Sequence, residues 1–110
     1  MSVLGTVAFD WPRMRKIVER IKQDYGAQEV ILFGSAVSGE FTVDSDIDLL
    51  IVSQTTEGFF QRIGSVLKCV RELSRRLPLA PIVLTPEELN SRVRRGDQFI
   101  QEILLKGVKL

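Results

Sequence analysis

One stretch constrains this chain more than any other. Val30-Ile31-Leu32-Phe33 is an unbroken apolar run that Gly34-Ser35 stops abruptly. Asp46-Ile47-Asp48 then leads a second run, Leu49-Leu50-Ile51-Val52. A short apolar run bounded by turn residues reads as a buried strand. The second run begins by alternating acid and apolar residues, so a strand over Asp46–Val52 puts Asp46 and Asp48 on one face and Ile47 on the other.

The flanking sequence supplies helices to cover such strands. Asp10-Trp11-Pro12 opens one, with Asp10 as cap and Pro12 in its first turn. Met14, Ile17, Val18 and Ile21 then recur at helical spacing, and Gly26 ends the helix. Ala36 to Phe41 reads as a short helix or loop, and Thr42 to Ser45 as a polar turn. Phe59, Ile63, Val66, Leu67, Val70, Leu73 and Leu77 form the clearest helical stripe, predicting one long helix ended by Pro78. Ile82-Val83-Leu84 is a third strand, and the preceding Pro81 suits a strand start or a sheet edge. Thr85-Pro86-Glu87-Glu88 has the form of a capping box. Phe99, Ile100, Ile103 and Leu104 predict a last helix that Gly107 stops, with Val108-Lys109-Leu110 available as a final strand. The order predicts an α+β (α/β two-layer) fold: a mixed sheet of three or four strands with helices packed against it.

Composition narrows the functions open to the chain. Its 110 residues fit one domain, 1–110. Fifteen Lys and Arg against fourteen Asp and Glu leave a net charge of +1, which does not point to nucleic acid as a general ligand. Histidine is absent, so neither a histidine base nor a His-ligated zinc is available. The single cysteine, Cys69, excludes an internal disulfide and reads as a buried, inert thiol. No apolar run approaches the ~18 residues of a membrane span. Met1 to Phe9 lacks the pattern of a signal peptide, making a cytoplasmic location the expectation.

The chemistry lies in the acids and the turn. Carboxylates at i and i+2 of a strand stand roughly 6–7 Å apart and can share a cation. Unpaired, they repel and raise each other's pKa, a penalty that a divalent metal removes. Such hard oxygen donors favour Mg2+, which commonly binds one or two carboxylates together with substrate phosphates. Gly34 lets the backbone approach a ligand closely. Amides of the turn can face phosphate oxygens, and the Ser35 hydroxyl adds a donor. Gly39 gives the loop a second flexible point.

Phe33-Gly34-Ser35-x-x-x-Gly39 followed by Ser45-Asp46-Ile47-Asp48-Leu49-Leu50-Ile51 resembles the signature of the minimal nucleotidyltransferases, the shortest members of the DNA polymerase β-like nucleotidyltransferase superfamily. The resemblance extends over nearly the whole chain, to the closing Ile103-Leu104-Leu105-Lys106-Gly107-Val108. It implies that Gly34 and Ser35 bind the triphosphate of an NTP, with ATP expected, and that Asp46 and Asp48 are catalytic residues holding Mg2+ or Mn2+. It implies transfer of a nucleoside monophosphate, expected to be AMP, to a hydroxyl acceptor with loss of pyrophosphate. Similar proteins are antitoxins paired with helical HEPN-type ribonuclease toxins. Such a partner, or a homo-oligomer, is expected for so small a chain.

The resemblance breaks at two places. Active members carry a third carboxylate on the strand after the long helix. Here that position falls on Ala80, with Glu87, Glu88 and Asp44 as the nearest alternative acids. Relatives also often place a cation between the two glycines, where this chain has Ala36-Val37-Ser38. The departure at Ala80 leaves a second expectation open: a pseudo-nucleotidyltransferase that binds a nucleotide or a partner without turnover. Arg92, Arg94 and Arg95, and Arg71, Arg75 and Arg76, read as solvated basic faces, with a phosphate or partner contact as the alternative.

Overall fold

The structure, a computed structural model, describes residues 9–110. Apart from Phe9, the N-terminal stretch weighed above as a signal peptide lies outside the described residues.

Helix α1, Trp11–Arg20, starts where Asp10 accepts a hydrogen bond from the Arg13 amide (3.1 Å), with Pro12 in the first turn. It runs on through a π-helical turn, Ile21–Tyr25, to Gly26, whose left-handed φ of 87° closes it. Strand β1, Glu29–Phe33, leads through Gly34 into the single turn of α2, Ser35–Ser38. Strand β2 is Ile47–Val52, so it starts one residue after Asp46. Helix α3 is Phe59–Cys69 and strand β3 Leu79–Leu84. Helix α4, Pro86–Arg94, and helix α5, Gln98–Lys106, precede the two-residue strand β4, Val108–Lys109.

The strands form one mixed sheet in the order β3-β2-β1-β4. Strand β1 pairs antiparallel with β2 and β4, and β2 pairs parallel with β3. Pro81 sits on edge strand β3, where its missing N–H costs least. The continuous apolar runs of β1 and β2 require cover on both faces. Val30, Leu32, Ile47, Leu49, Ile51 and Val83 pack against Met14, Ile17 and Ile21 of the first helix and Val66 of α3. On the other face Ile31, Leu50 and Leu84 pack against Ile100 and Ile103 of α5, a partial layer added to the main helical one. The mixed α+β class and the four-stranded sheet agree with the sequence expectation. Among the described residues no helix is long and apolar enough to cross a membrane.

One predicted element is corrected. The long helix ends at Cys69 rather than at Pro78. Val70 leaves helical geometry (φ −112°, ψ 11°), and residues 70–77 form turns in which the Leu73 and Ser74 amides both donate to the Val70 carbonyl. Arg13 captures this segment from α1. Its Nε donates to the Leu73 carbonyl (2.7 Å), and its Nη2 donates to that of Arg75. Arg76 adopts a left-handed φ of 60°. Leu73 and Leu77 still pack against the core, so the stripe reported burial correctly and helix incorrectly. Phe59 and Leu67 of the same stripe are only partly covered, 40% and 37% exposed. Cys69 is half-buried, and burial pushes its thiol pKa up, in keeping with an inert thiol.

The junction of β3 and α4 is locked by Arg62. This arginine is buried at stripe spacing, four residues before Val66. Its Nη1 donates to Glu88 Oε1 (2.6 Å) and to the Val83 carbonyl (3.1 Å), and its Nε donates to the Glu57 carbonyl (2.9 Å). Glu88 simultaneously completes the capping box: its Oε1 accepts from the Thr85 amide (2.8 Å), while the Glu88 amide donates to the Thr85 hydroxyl (3.2 Å). The Arg62 hydrogen bonds, then the Thr85 amide, hold the Glu88 carboxyl below its ordinary pKa. Removing Arg62 orphans two carbonyls and one side of an ion pair, so Arg62→Ala should lose about 3 kcal/mol of unfolding free energy. The sign with pH follows from the lowered pKa. The Glu88 contribution is complete above its unfolded value and is lost as pH falls through the folded one. Denaturant melts of both proteins across that acidic range should show the difference between them narrowing.

Candidate functional site

The head of β2 is built by the turn before it. The Ser45 amide donates to the Thr42 carbonyl (3.1 Å), and the Thr42 amide donates to the Ser45 hydroxyl (2.9 Å). The Ile47 amide then donates to the Pro78 carbonyl (2.8 Å), pinning this end of β2 to the entrance of β3. Ile47 is fully buried, Asp48 half-buried and Asp46 exposed.

Cross-strand register brings the site together. Asp48 lies opposite Phe33 of β1 on one side and Ala80 of β3 on the other. Gly34 follows Phe33, and the Asp48 carboxylate packs directly over its Cα: a Cβ placed on Gly34 would collide with Asp48 Oδ2. Gly34 also has φ 76° and ψ −147°, a conformation closed to other residues. The turn and the acid are therefore one structure. The Gly34 carbonyl accepts from the Val37 and Ser38 amides. The amides of Ser35 and Ala36, first in the helix, have no intrahelical carbonyl to reach.

Burial, and after it the charge of Asp46, pushes the Asp48 carboxyl above its ordinary pKa. The pair thus carries an uncompensated electrostatic cost, which a cation or a phosphate-bound cation would relieve. Two carboxylates are a sufficient protein donor set for Mg2+ or Mn2+ when substrate phosphates complete the shell. In that sense the residues fit the implied metal. They do not form a closed protein cage, for among the described residues no group of three His, Cys, Asp or Glu side chains is placed to hold an ion.

The third-acid position is now located in space. Ala80 is the direct β3 neighbour of Asp48, the place from which a carboxylate would reach the same ion. The two glutamates weighed in the sequence do not replace it. Glu88 is committed to Arg62 and the helix cap, and Glu87 accepts from Gln54 Nε2 (3.1 Å). Both follow the far end of β3, at least four residues or roughly 13 Å along the strand from Ala80. Asp44 is exposed in the turn ahead of Asp46, where its amide donates to the Thr42 hydroxyl. Of the predicted basic clusters, Arg92 pairs with Asp97 (3.5 Å) and Arg71, Arg75 and Arg76 are exposed.

The sequence did not reveal Arg62 as a lock. A charge on a stripe position was the available signal, and its partner stood in the capping box 26 residues on. Phe33, Phe99 and Lys106, which the fold brings beside Gly34, carried no signal that distinguished them from ordinary core and surface residues.

Two changes test this geometry. Gly34→Ala forces a side chain into both the Asp48 carboxylate and a forbidden backbone conformation, and should cost about 2–4 kcal/mol in denaturant unfolding. Asp48 has a raised pKa, so its stability contribution is most favourable when protonated and is lost as pH rises through its folded value. Asp48→Asn should accordingly raise the melting temperature of the metal-free protein at neutral pH, and that gain should shrink on acidification.

Comparison with known proteins adds one finding. The family model described as nucleotidyltransferase domain matches residues 14–109, from the buried face of α1 to β4. No curated protein matches the chain.

Proposed function

With all but its ends matched, the chain belongs to the nucleotidyltransferase domain family, and from that premise we propose that it binds an NTP and transfers its nucleoside monophosphate to a hydroxyl acceptor. The observation that carries this reading is the Asp48 carboxylate seated on Gly34, which unites a phosphate-facing turn with an acidic pair. Gly34 admits the phosphates at backbone distance, and the amides and hydroxyl of the Ser35 turn bind their oxygens. Asp46 and Asp48 would hold Mg2+ or Mn2+ beside them. When bound, the ion neutralises phosphate charge and orients the phosphoryl group for in-line attack. ATP as donor, and an acceptor hydroxyl on a partner protein, are the finer parts of the proposal. So is the biological setting: a cytoplasmic antitoxin-like protein paired with a HEPN-type ribonuclease or with a second copy of itself. The resemblance of Phe33–Gly39 and Ser45–Ile51 to the minimal nucleotidyltransferases supports these parts.

Ala80 supports a second reading. With Ala80 on β3 beside Asp48, that position supplies no group to deprotonate an attacking hydroxyl. The chain would then recognise a nucleotide or a partner without chemistry.

Labelled ATP, Mg2+ or Mn2+, and the protein encoded next to this chain's gene separate the readings. Transfer of label that disappears in the Asp46→Asn/Asp48→Asn double variant supports the enzyme. A tight complex that never acquires label supports the binding module. Transfer undiminished in the double variant would refute the metal assignment. If the site is otherwise intact, Ala80→Asp should raise transfer by about 10²-fold, the usual worth of a positioned general base.

A further inference from the structure

A second feature opens beside the Gly34 turn. A cavity of about 590 Å3 lies between α2, the end of β1 and α5. Its walls are mostly apolar, with Phe33, Val37, Phe99 and Ile103 among its lining, and Gly34 itself forms part of them. Phe33 and Phe99 meet edge to face with ring centroids 5.9 Å apart. Phe99, in the first turn of α5, is 52% exposed although Ile100 and Ile103 of the same helix are buried. Lys106 reaches the rim from the last turn of α5. Its only ion pair among the described residues is with Glu102 (3.0 Å), and both side chains are well exposed. Such a pair contributes little and yields readily to a stronger anion.

We propose that this cavity is the nucleoside subsite of the nucleotide whose phosphates occupy the Gly34–Ser35 turn, with Lys106 as the counter-charge to those phosphates. The inference rests on the preceding reading of the turn. Four observations choose this occupant. The cavity is continuous with the phosphate turn through Gly34. Its volume lies within the range of small-ligand sites. Its exposed aromatic wall offers a face on which a base can stack, a contact that tolerates any base. Finally, the Ala36-Val37-Ser38 loop carries no cation, and α5 brings Lys106, together with its partner Glu102, to the same opening. A charge absent from the loop in sequence is thus supplied from a helix some 70 residues later.

Isothermal titration of the full chain with ATP and with inorganic tripolyphosphate, each with Mg2+, tests this. Phe99→Ala should weaken ATP by about tenfold and leave tripolyphosphate unchanged, because only ATP carries a base to stack. Lys106→Ala should weaken both by about fivefold, and Lys106→Arg should restore both. Ser38→Trp, an exposed position that fills the mouth of the cavity, should exclude ATP while sparing tripolyphosphate. Circular dichroism melts establish that each variant is folded, and Leu105→Ala on the exposed face of α5 should bind as the parent does. If ATP binds no tighter than tripolyphosphate, and Phe99→Ala and Ser38→Trp change neither, the subsite assignment is overturned while the phosphate turn stands. If the parent binds neither ligand, the reading of the turn itself falls, and the subsite with it.

Discussion

The contact between the Asp48 carboxylate and the bare Cα of Gly34 is the constraint on which the rest of the site depends. It exists because β1 and β2 pair antiparallel with Phe33 opposite Asp48. A slip of one residue would send Asp48 to the face that packs on α1 and α3 and would bring Ile47 out of the core. The register is therefore fixed by ordinary hydrophobic burial. Val30, Leu32, Leu49 and Ile51 face one helical layer, and Ile31 and Leu50 face the other. The apolar core sets the position of the acid, and the acid in turn demands glycine at residue 34.

The fold holds strand β3, beside the acids, at each of its ends. From the α3 side, Arg13 pulls the Leu73 and Arg75 carbonyls toward α1 and lets the chain turn into Pro78, whose carbonyl receives the Ile47 amide. From the far side, Arg62 and Glu88 fix where β3 becomes α4. Strand β3 is thereby anchored at both ends, and with it the placement of Ala80 beside Asp48. The two arginines act on opposite ends of one strand, although neither touches the acids.

The sequence made the strands, the caps and the acidic turn legible because each depends on neighbours close in the chain. Asp10, Thr85 with Glu88, and Gly26 act within one helical turn of the residues they cap, and all three behave as their local chemistry requires. The long helix was misjudged because Leu73 and Leu77 keep a helical spacing that tertiary capture by Arg13 overrides. Arg62 stayed hidden for a related reason: its partner is remote, and an arginine on a buried stripe reads as an exception until that partner is placed. Asp46, Asp48, Gly34 and Ser35 could be picked out as candidates, but their mutual geometry could not. The cavity beside them joins β1, α2 and α5, and no local pattern couples residues 33 and 99.

The identity of residue 80 has an electrostatic consequence that cuts against simple loss. Asp48 already bears the cost of burial and of Asp46, which together raise its pKa. A carboxylate at position 80, its immediate neighbour, would add a third negative charge to that end of the sheet and raise the cost further in the absence of a cation. Alanine removes that repulsion. A site of two acids costs less without a cation and would hold a divalent ion less firmly by itself, so under the proposed function its occupancy would depend more on the nucleotide that brings phosphate oxygens with it. Metal and nucleotide would then bind as a coupled pair rather than in sequence. Such coupling serves a transferase and a nucleotide-responsive binding module equally well. What separates the two is the group that takes the proton from an acceptor hydroxyl. The acids of α4 stand at the other end of β3 and Ala80 offers no carboxylate, so a catalytic base would have to come from the Asp44 turn, from the nucleotide phosphates, from the acceptor or from the protein that carries it.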